Sequence, residues 1–501
     1  MGNPLVVNAR PTIAIYRRHV ALFVLTALAL VLPRDAVAAP RGLPGCALAG
    51  RTADRVTIAR LMDRQVARYA RRAGTGPAAR RTYAAGLAAY VYGLPPVMLR
   101  RTVQTFPRNA MVSIAKLADE STDSIVAPNH DTLYSVGWID LSAGPLVLET
   151  PPTAGRYAVI QLLDAYTNAA AYVGDGARGA RGERVALVPP GFTGLLPAGV
   201  RAIRMPTSTA WLLGRTLVDA DAADMAAGRA LLGRYSLTPL ADHVAGRRAA
   251  PLILDDFPKD RAPVRPPTGP AFFGELDAIL ASDPPPAGDR CALRAFAAAG
   301  VGPGAAPSGA RGAAVRAAAA DGPRLLDRLV AVTQAAGRRT GGGWSTSPPD
   351  IARFGRDYPT RAVVTRIGLG ANTAEKALYP NTSVDTRGRR LRGDHVYEVR
   401  FAPGQTPPVK AFWSITLYDD QLLFYDNPLG RFALGDRTPG LRRDPDGGLT
   451  IRVSHAPPAA GRRANWLPAP EGRFELYLRL YEPRAAAVSG RWRPPPVVRV
   501  R

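Results

Sequence analysis

The stretch that decides the fold reads Val126-Ala127-Pro128-Asn129-His130-Asp131-Thr132-Leu133-Tyr134-Ser135. After two short apolar runs it resumes as Arg156-Tyr157-Ala158-Val159-Ile160-Gln161-Leu162-Leu163-Asp164-Ala165-Tyr166-Thr167-Asn168. β-formers dominate, and Gly and Pro punctuate the turns. The same pattern predicts strands at 132–140, 145–149, 156–163, 170–173, 184–188, 201–205 and 211–218. Short strands at this spacing indicate a sandwich or a barrel. The quoted stretch is expected to build the first core and to carry any site that core supports.

On its N-terminal side the period changes. Residues 53–72 place Val56, Ile58, Leu61, Met62, Val66 and Tyr69 at helical spacing, with Arg between them. Pro77 opens a second helix through Tyr83, Leu87, Tyr90 and Val91, which Gly93-Leu94-Pro95-Pro96 is expected to interrupt. On the C-terminal side helix returns at 221–235, 290–299, 313–320 and 325–336. Between them lie a Pro-rich connection at 251–270 and the apolar stripe Phe272, Phe273, Leu276, Ile279, Leu280. From about 361 strands dominate again, at 397–401, 412–418, 422–425, 449–453 and 474–481. In 412–418 the residues Phe412, Ser414, Thr416 and Tyr418 share one face. The expected class is mainly β with helical segments. The expected order is a signal peptide (1–38), an N-terminal helical segment (39–110), a first β-sandwich (111–240), a helical Pro/Ala/Gly-rich subdomain (241–360) and a C-terminal sandwich (361–501).

A chain of 501 residues, nearly half of them apolar, is long enough for two or three cores. The formal charge is +25, and only Lys116, Lys259, Lys376 and Lys410 are lysines. The arginines are spread along the chain rather than gathered into blocks, so no nucleic-acid partner is expected. At the N-terminus Arg17-Arg18-His19 precede the apolar run 20–32, and Ala36-Val37-Ala38 offers small residues for cleavage. The expectation is an exported protein, periplasmic or extracellular, that meets the membrane only through this segment. An uncleaved anchor is the lesser alternative. The two cysteines, Cys46 and Cys291, both fall in the exported part. An oxidising compartment lets them pair, and spacing alone does not decide it. Two distant cysteines and five scattered histidines make no zinc pattern, so no metal or other cofactor is expected.

Residues able to do chemistry fall in both halves. Asp131, Tyr134 and Asp164 are candidate acid–base groups, and Asn129, Arg156 and Arg215 candidate ligand holders. Against this, Asn and Asp ahead of a strand commonly tie a turn to its own backbone. Arg215, in an apolar run, is expected to pair with Asp131, Asp140 or Asp164. In the second half Trp413, Asn427 and Trp466 could grip a sugar or another apolar-faced ligand, or plug the end of a sandwich. There is no nucleophile elbow, no His-Glu-x-x-His and no phosphate loop.

With these residues laid out, the chain resembles exported bacterial proteins that carry two adjoining domains of unknown function, numbered 1254 and 1214. The first is matched by Tyr92-Gly93, Pro128-Asn129, Asp131–Ser135, Arg156-Tyr157, Asp164–Asn168 and Trp211 with Gly214-Arg215-Thr216. The second is matched by Lys410–Ser414, Tyr418-Asp419, Asn427-Pro428, Asn465–Pro470 and Leu478-Arg479-Leu480-Tyr481. The resemblance implies an immunoglobulin-like β-sandwich, a small helical domain and a jelly-roll-like C-terminal sandwich, and it implies no activity. One departure is that Gly430 and Phe432 stand where such proteins more often show Asn and Tyr.

The reading that follows is an exported protein that binds a small molecule or glycan. The alternatives are a metal-independent hydrolase built on Asp131, Tyr134 and Asp164, and a structural or partner-binding module.

Overall fold

The computed structural model describes residues 43–48, 55–122, 127–176, 181–258, 264–298, 300–306, 308–340 and 343–500. The signal segment expected at 1–38 lies outside the described residues.

The strands of the first half are β1 (Met111–Ile114), β2 (Thr132–Asp140), β3 (Leu146–Thr150), β4 (Ala158–Asp164), β5 (Ala169–Gly176), β6 (Glu183–Val188), β7 (Arg201–Arg204), β8 (Thr209–Leu217), β9 (Ser236–Pro239) and β10 (Leu252–Leu254). They form two sheets, ordered β10-β1-β2-β8-β4-β5 and β7-β6-β3-β9. Ile139, Leu148, Ile160, Leu162, Val185, Leu187 and Leu212 fill the space between them. Every residue of β4 is buried, because both faces of its sheet are covered. One face meets the partner sheet. The other meets a helix and the second sandwich. Sequence periodicity misses β1, β9 and β10, which are three or four residues long.

The longer helices are α1 (Arg55–Ala73), α2 (Pro77–Val103), α3 (Ala222–Leu232), α4 (Ala271–Ser282), α5 (Arg290–Ala298), α6 (Gly309–Thr340) and α7 (Tyr358–Gly368). The helical stretches on either side of the first sandwich share one core. Tyr83, Leu87, Tyr90 and Leu94 of α2 pack with Phe272 and Leu276 of α4, Phe296 of α5, Leu325 and Leu329 of α6 and Val363 of α7. Close approach sets the fit. A Cβ on Gly86 would lie 2.7 Å from the Ala318 Cβ, and one on Gly322 would lie 2.4 Å from the Tyr90 ring.

Contrary to expectation, Pro95 and Pro96 do not interrupt α2, which runs through them to Val103. An interior proline costs about 3 kcal/mol. Leu87, Val91, Leu94, Val97 and Leu99 are all fully buried, and each contributes roughly 1.5–3 kcal/mol. Packing on every side outweighs the two missing hydrogen bonds. Likewise Pro323 lies inside α6. The second β region is expected from about residue 361, but 361–368 belong to the helix α7, with the Asp357 side chain accepting from the Thr360 amide at the helix start.

The second sandwich contains β11 (Ala377–Leu378), β12 (Asn381–Thr382), β13 (Tyr397–Phe401), β14 (Trp413–Asp419), β15 (Ala433–Gly435), β16 (Leu449–Ser454), β17 (Trp466–Pro468), β18 (Phe474–Tyr481) and β19 (Val497–Arg499). One sheet is ordered β11-β18-β14-β15, with β12 also on β18, and the other β17-β16-β13-β19. Val399, Phe401, Ile415, Leu417, Ile451, Val453, Leu476 and Leu478 make its core. The whole is a mixed, β-rich fold with helical segments.

Candidate functional site

The period-two alternation of β14 and β18 builds the site. Trp413, Ile415, Leu417, Leu476, Leu478 and Leu480 point into the second core. The intervening residues must point the other way. They are Phe412, Ser414, Thr416 and Tyr418 on one strand, and Tyr477, Arg479 and Tyr481 on the next. Ser414 stands directly opposite Arg479, and Thr416 opposite Tyr477. This polar and aromatic face lies against the first sandwich. Tyr157 and Val159 pack with Phe412 and Tyr481, while Tyr134 joins the cluster of Tyr418 and Tyr477.

The opening stretch of the sequence is the seam between the sandwiches. Asn129 Nδ2 donates to the Tyr481 hydroxyl at 2.6 Å, and Asn129 Oδ1 accepts from the Asp131 amide at 2.6 Å. Asp131 Oδ2 accepts from the Ser414 hydroxyl at 2.7 Å, and its Oδ1 lies 3.5 Å from Arg437 Nη2. The Tyr418 hydroxyl donates to the Pro128 carbonyl. His130 places Nδ1 2.6 Å from the Ala118 carbonyl and sets its ring edge-on to Phe432, 5.0 Å between centroids. The departure at Phe432 is therefore part of a packed aromatic contact.

Two arginines cross this seam. Arg215 donates to Gln161 Oε1 at 3.0 Å, to the Gly370 carbonyl at 2.8 Å and to Asn372 Oδ1 at 3.4 Å. Arg479 Nη2 reaches the Ala127 carbonyl at 2.9 Å, the Pro128 carbonyl at 3.3 Å and the Tyr418 hydroxyl at 2.5 Å. They are 7% and 6% exposed. Among the described residues neither is within ion-pair distance of a carboxylate. A buried guanidinium held only by neutral oxygens is under-compensated. Among the described residues Arg479 Nε has no partner, nor do the buried hydroxyls of Tyr157 and Thr416.

Phenols ring both cations. Burial pushes the Tyr134 phenol up, while Arg215 and Arg479 both pull it down, which places Tyr134 in the field of each. Tyr134, Tyr172 and Tyr379 nevertheless keep part of their surface accessible.

The other predicted residues are placed differently. Asp131 pairs with Ser414 and Arg437, and Arg215 with no aspartate, so the expected Asp–Arg pairing does not form. Asp140 lies 3.4 Å from Arg108. Asp164 is buried and accepts from the amides of Tyr166 and Asn168 at 2.9 Å each. Thr132 pairs with Leu217 and Asp164 with Ala210 along β8, seven residues apart. Asp131, one residue before Thr132, is thus displaced from Asp164 by more than about 23 Å along the sheet, and no single acid–base site contains both. Arg156 is tied to Asp224 and the Leu217 carbonyl. Trp413 and Trp466 are core residues, 3% and 4% exposed, and Trp466 Nε1 donates to the Ser454 carbonyl at 3.0 Å. They offer no platform for a sugar. Asn427 ties its own turn through Tyr425, Leu429 and Arg431. Cys46 and Cys291 form a disulfide.

A separate surface cleft of about 290 Å³ lies between Arg100, Arg108, Trp138 and Asp283. Arg100 is bonded to Ser282 there, and Arg108 faces Asp140. No cluster of three His, Cys, Asp or Glu among the described residues could hold a metal.

Residue-by-residue reading overlooks Arg479, Ser414, Tyr481 and Gln161 as site residues. A signal existed. On β18 the outward positions Tyr477, Arg479 and Tyr481 are polar-tipped and bulky, unlike the short polar residues of a solvated strand face.

Residues 108–239 match the family described as Protein of unknown function (DUF1254), and residues 376–485 match Protein of unknown function (DUF1214). No curated protein matches the chain. Among solved structures, the VPA0106 protein from Vibrio parahaemolyticus aligns with a TM-score of 0.61 at 22% identity, over 84% of this chain and 100% of that one. An uncharacterised protein from Burkholderia cenocepacia aligns with a TM-score of 0.42 at 14% identity, over 89% and 99%. The first likeness bears on the fold alone. The seam described above joins the two matched segments, and the chain carries the two-domain arrangement in which a segment matching DUF1254 is followed by one matching DUF1214.

Proposed function

We propose that the protein binds a small anion-bearing molecule between its two sandwiches, with Arg215 and Arg479 receiving the negative charge. The observation that carries this reading is the pair of buried guanidiniums whose partners are all neutral. A carboxylate or phosphate offers what carbonyl and amide oxygens do not, a full charge in bidentate geometry. The partly accessible phenols of Tyr134, Tyr172 and Tyr379 would border the bound molecule and suit a flat, apolar body. Thermal-shift and calorimetric titration with a panel of aliphatic and aromatic carboxylates and phosphates tests it. At least one is expected to bind, and Arg479→Met to abolish the binding. Silence across the panel would sink the reading.

A purely structural reading has its own support. Both arginines donate to carbonyls across the seam, as cross-links would. In that case the arginine variants lose stability and no anion changes it.

We also propose that the protein is exported. The basic, apolar and small-residue order of residues 17–38 supports this, as does the disulfide, a bond that persists in oxidising compartments. Cell fractionation with N-terminal sequencing tests it; full-length protein in the cytoplasm would exclude it.

A further inference from the structure

We propose that the outer face of α1 is a docking surface for an anionic phospholipid bilayer. The helix has two faces of opposite character. Ile58, Leu61, Met62, Gln65 and Tyr69 are buried against the helical body. Arg60, Arg64, Arg68 and Arg71 are exposed. At about 100° per residue these four fall within an arc of about 80°, and they run some 17 Å along the axis, roughly. Arg72 flanks them, 63% exposed beside Asp321, and Arg80 and Arg81 follow exposed across the turn. None of the four stripe arginines lies in an ion pair among the described residues, and α1 contains one acidic residue, Asp63.

An arginine-rich composition puts arginine on any solvated face, and Arg71 also suits the negative end of its helix. Neither fact explains why a face about three turns long is left without compensating acids. Elsewhere exposed arginines find them, as Arg229 does with Asp255, Arg247 with Asp242 and Arg353 with Glu375.

Two features select the membrane as the polyanion. The apolar run 20–32 precedes α1 in sequence, so a chain exported through that run, as proposed above, would bring α1 to the bilayer as its first long described helix. The disulfide joins Cys46, between that run and α1, to α5, and such a bond belongs to a compartment where lipid headgroups rather than nucleic acids are the abundant phosphates. Guanidiniums one turn apart on a straight face can each take a headgroup phosphate.

The test uses the full chain sedimented with phosphatidylcholine vesicles, with and without one quarter phosphatidylglycerol. Binding to phosphatidylcholine reports any insertion of the apolar run, and the phosphatidylglycerol-dependent excess reports the stripe. Replacing Arg60, Arg64, Arg68 and Arg71 by Gln is expected to weaken that excess by several hundred-fold, at about 1 kcal/mol per arginine. Replacing the exposed Arg442, Arg443, Arg462 and Arg463 by Gln removes the same charge far from α1 in sequence and is expected to leave it nearly intact. Replacing the four stripe residues by Lys should keep it, and added salt should reduce it in the wild type. Absence of any excess in the wild type overturns the proposal. So does equal loss in the two Gln variants, or an equal loss of binding to a short DNA duplex.

Discussion

Arg215 and Arg479 cross the same seam in opposite directions. Arg215 leaves β8 of the first sandwich and ends on Gly370 and Asn372, in the segment leading into the second. Arg479 leaves β18 of the second sandwich and ends on Ala127 and Pro128 of the first. Each domain thus lends a cation to the backbone of the other. The proposed anion site and the joint between the domains are the same place.

Substituting Arg215 by Met should therefore lower stability as well as binding. Gln161 and the Gly370 carbonyl would lose their donor inside the protein, at a cost of about 2–4 kcal/mol. Arg215→Lys should recover little, since one ammonium cannot reproduce a planar fork. Chemical denaturation of the three proteins measures this, and a Lys variant as stable as wild type would contradict it.

Asp131 and Ser414 should be energetically coupled. Their hydrogen bond is buried and one partner is a carboxylate. A double-mutant cycle with Asp131→Asn and Ser414→Ala is expected to give about 1–2 kcal/mol of interaction. A value near zero would mean that the bond adds nothing to the joint.

Acid should stabilise the fold over one pH window. Burial pushes the Asp436 carboxyl up to about 6, and burial does the same to Asp277. Between pH ~4 and ~6 the folded chain then holds protons that the unfolded chain has lost. This contribution is complete below about pH 4 and fades as pH rises through about 6. Melting curves across that range should show a slope that Asp436→Asn reduces.

Reduction should loosen the helical body. The bond between Cys46 and Cys291 closes a loop with a sequence separation of 245. Its removal should cost about 2–5 kcal/mol. Cys46→Ser with Cys291→Ser should melt earlier than wild type and become indifferent to reductant.

Gly370→Ala should damage the seam from the backbone side. Gly370 has φ +84°, and an added Cβ would lie 2.8 Å from Leu213 and 3.0 Å from Trp211. The expected cost is about 1–3 kcal/mol. Because the Gly370 carbonyl receives Arg215, anion binding should weaken with it.

The strands of the first sandwich were readable because Gly and Pro end them and β-formers fill them. β2, β4 and β8 fall where the pattern of β-formers and turn residues puts them. The alternation of 412–418 was equally plain, and its polar face is the one that meets the first domain. Other features were hidden for physical reasons. Pro95 and Pro96 signal a break only while their surroundings are ignored, and burial on all sides keeps α2 whole. The helical stretches before and after the first sandwich share a core that only tertiary contact reveals. Asp131 and Asp164 look like partners in one list of polar residues, but the register of β8 sets them at opposite ends of a sheet. Arg479 sits in a strand whose period is clear, yet what its face meets lies hundreds of residues away in sequence.

The helical body, made of segments that flank the first sandwich, has a consequence for how the protein is born. Its α1 and α2 are synthesised first, but their partners α4 and α6 begin about 170 and 205 residues after α2 ends, roughly 10 to 40 seconds later at ribosomal speed. The first sandwich can close in that interval. α2, apolar on every side, cannot yet be covered. The earliest helices to be made are thus among the last to find their place, and a nascent chain must keep them from other surfaces until α6 arrives.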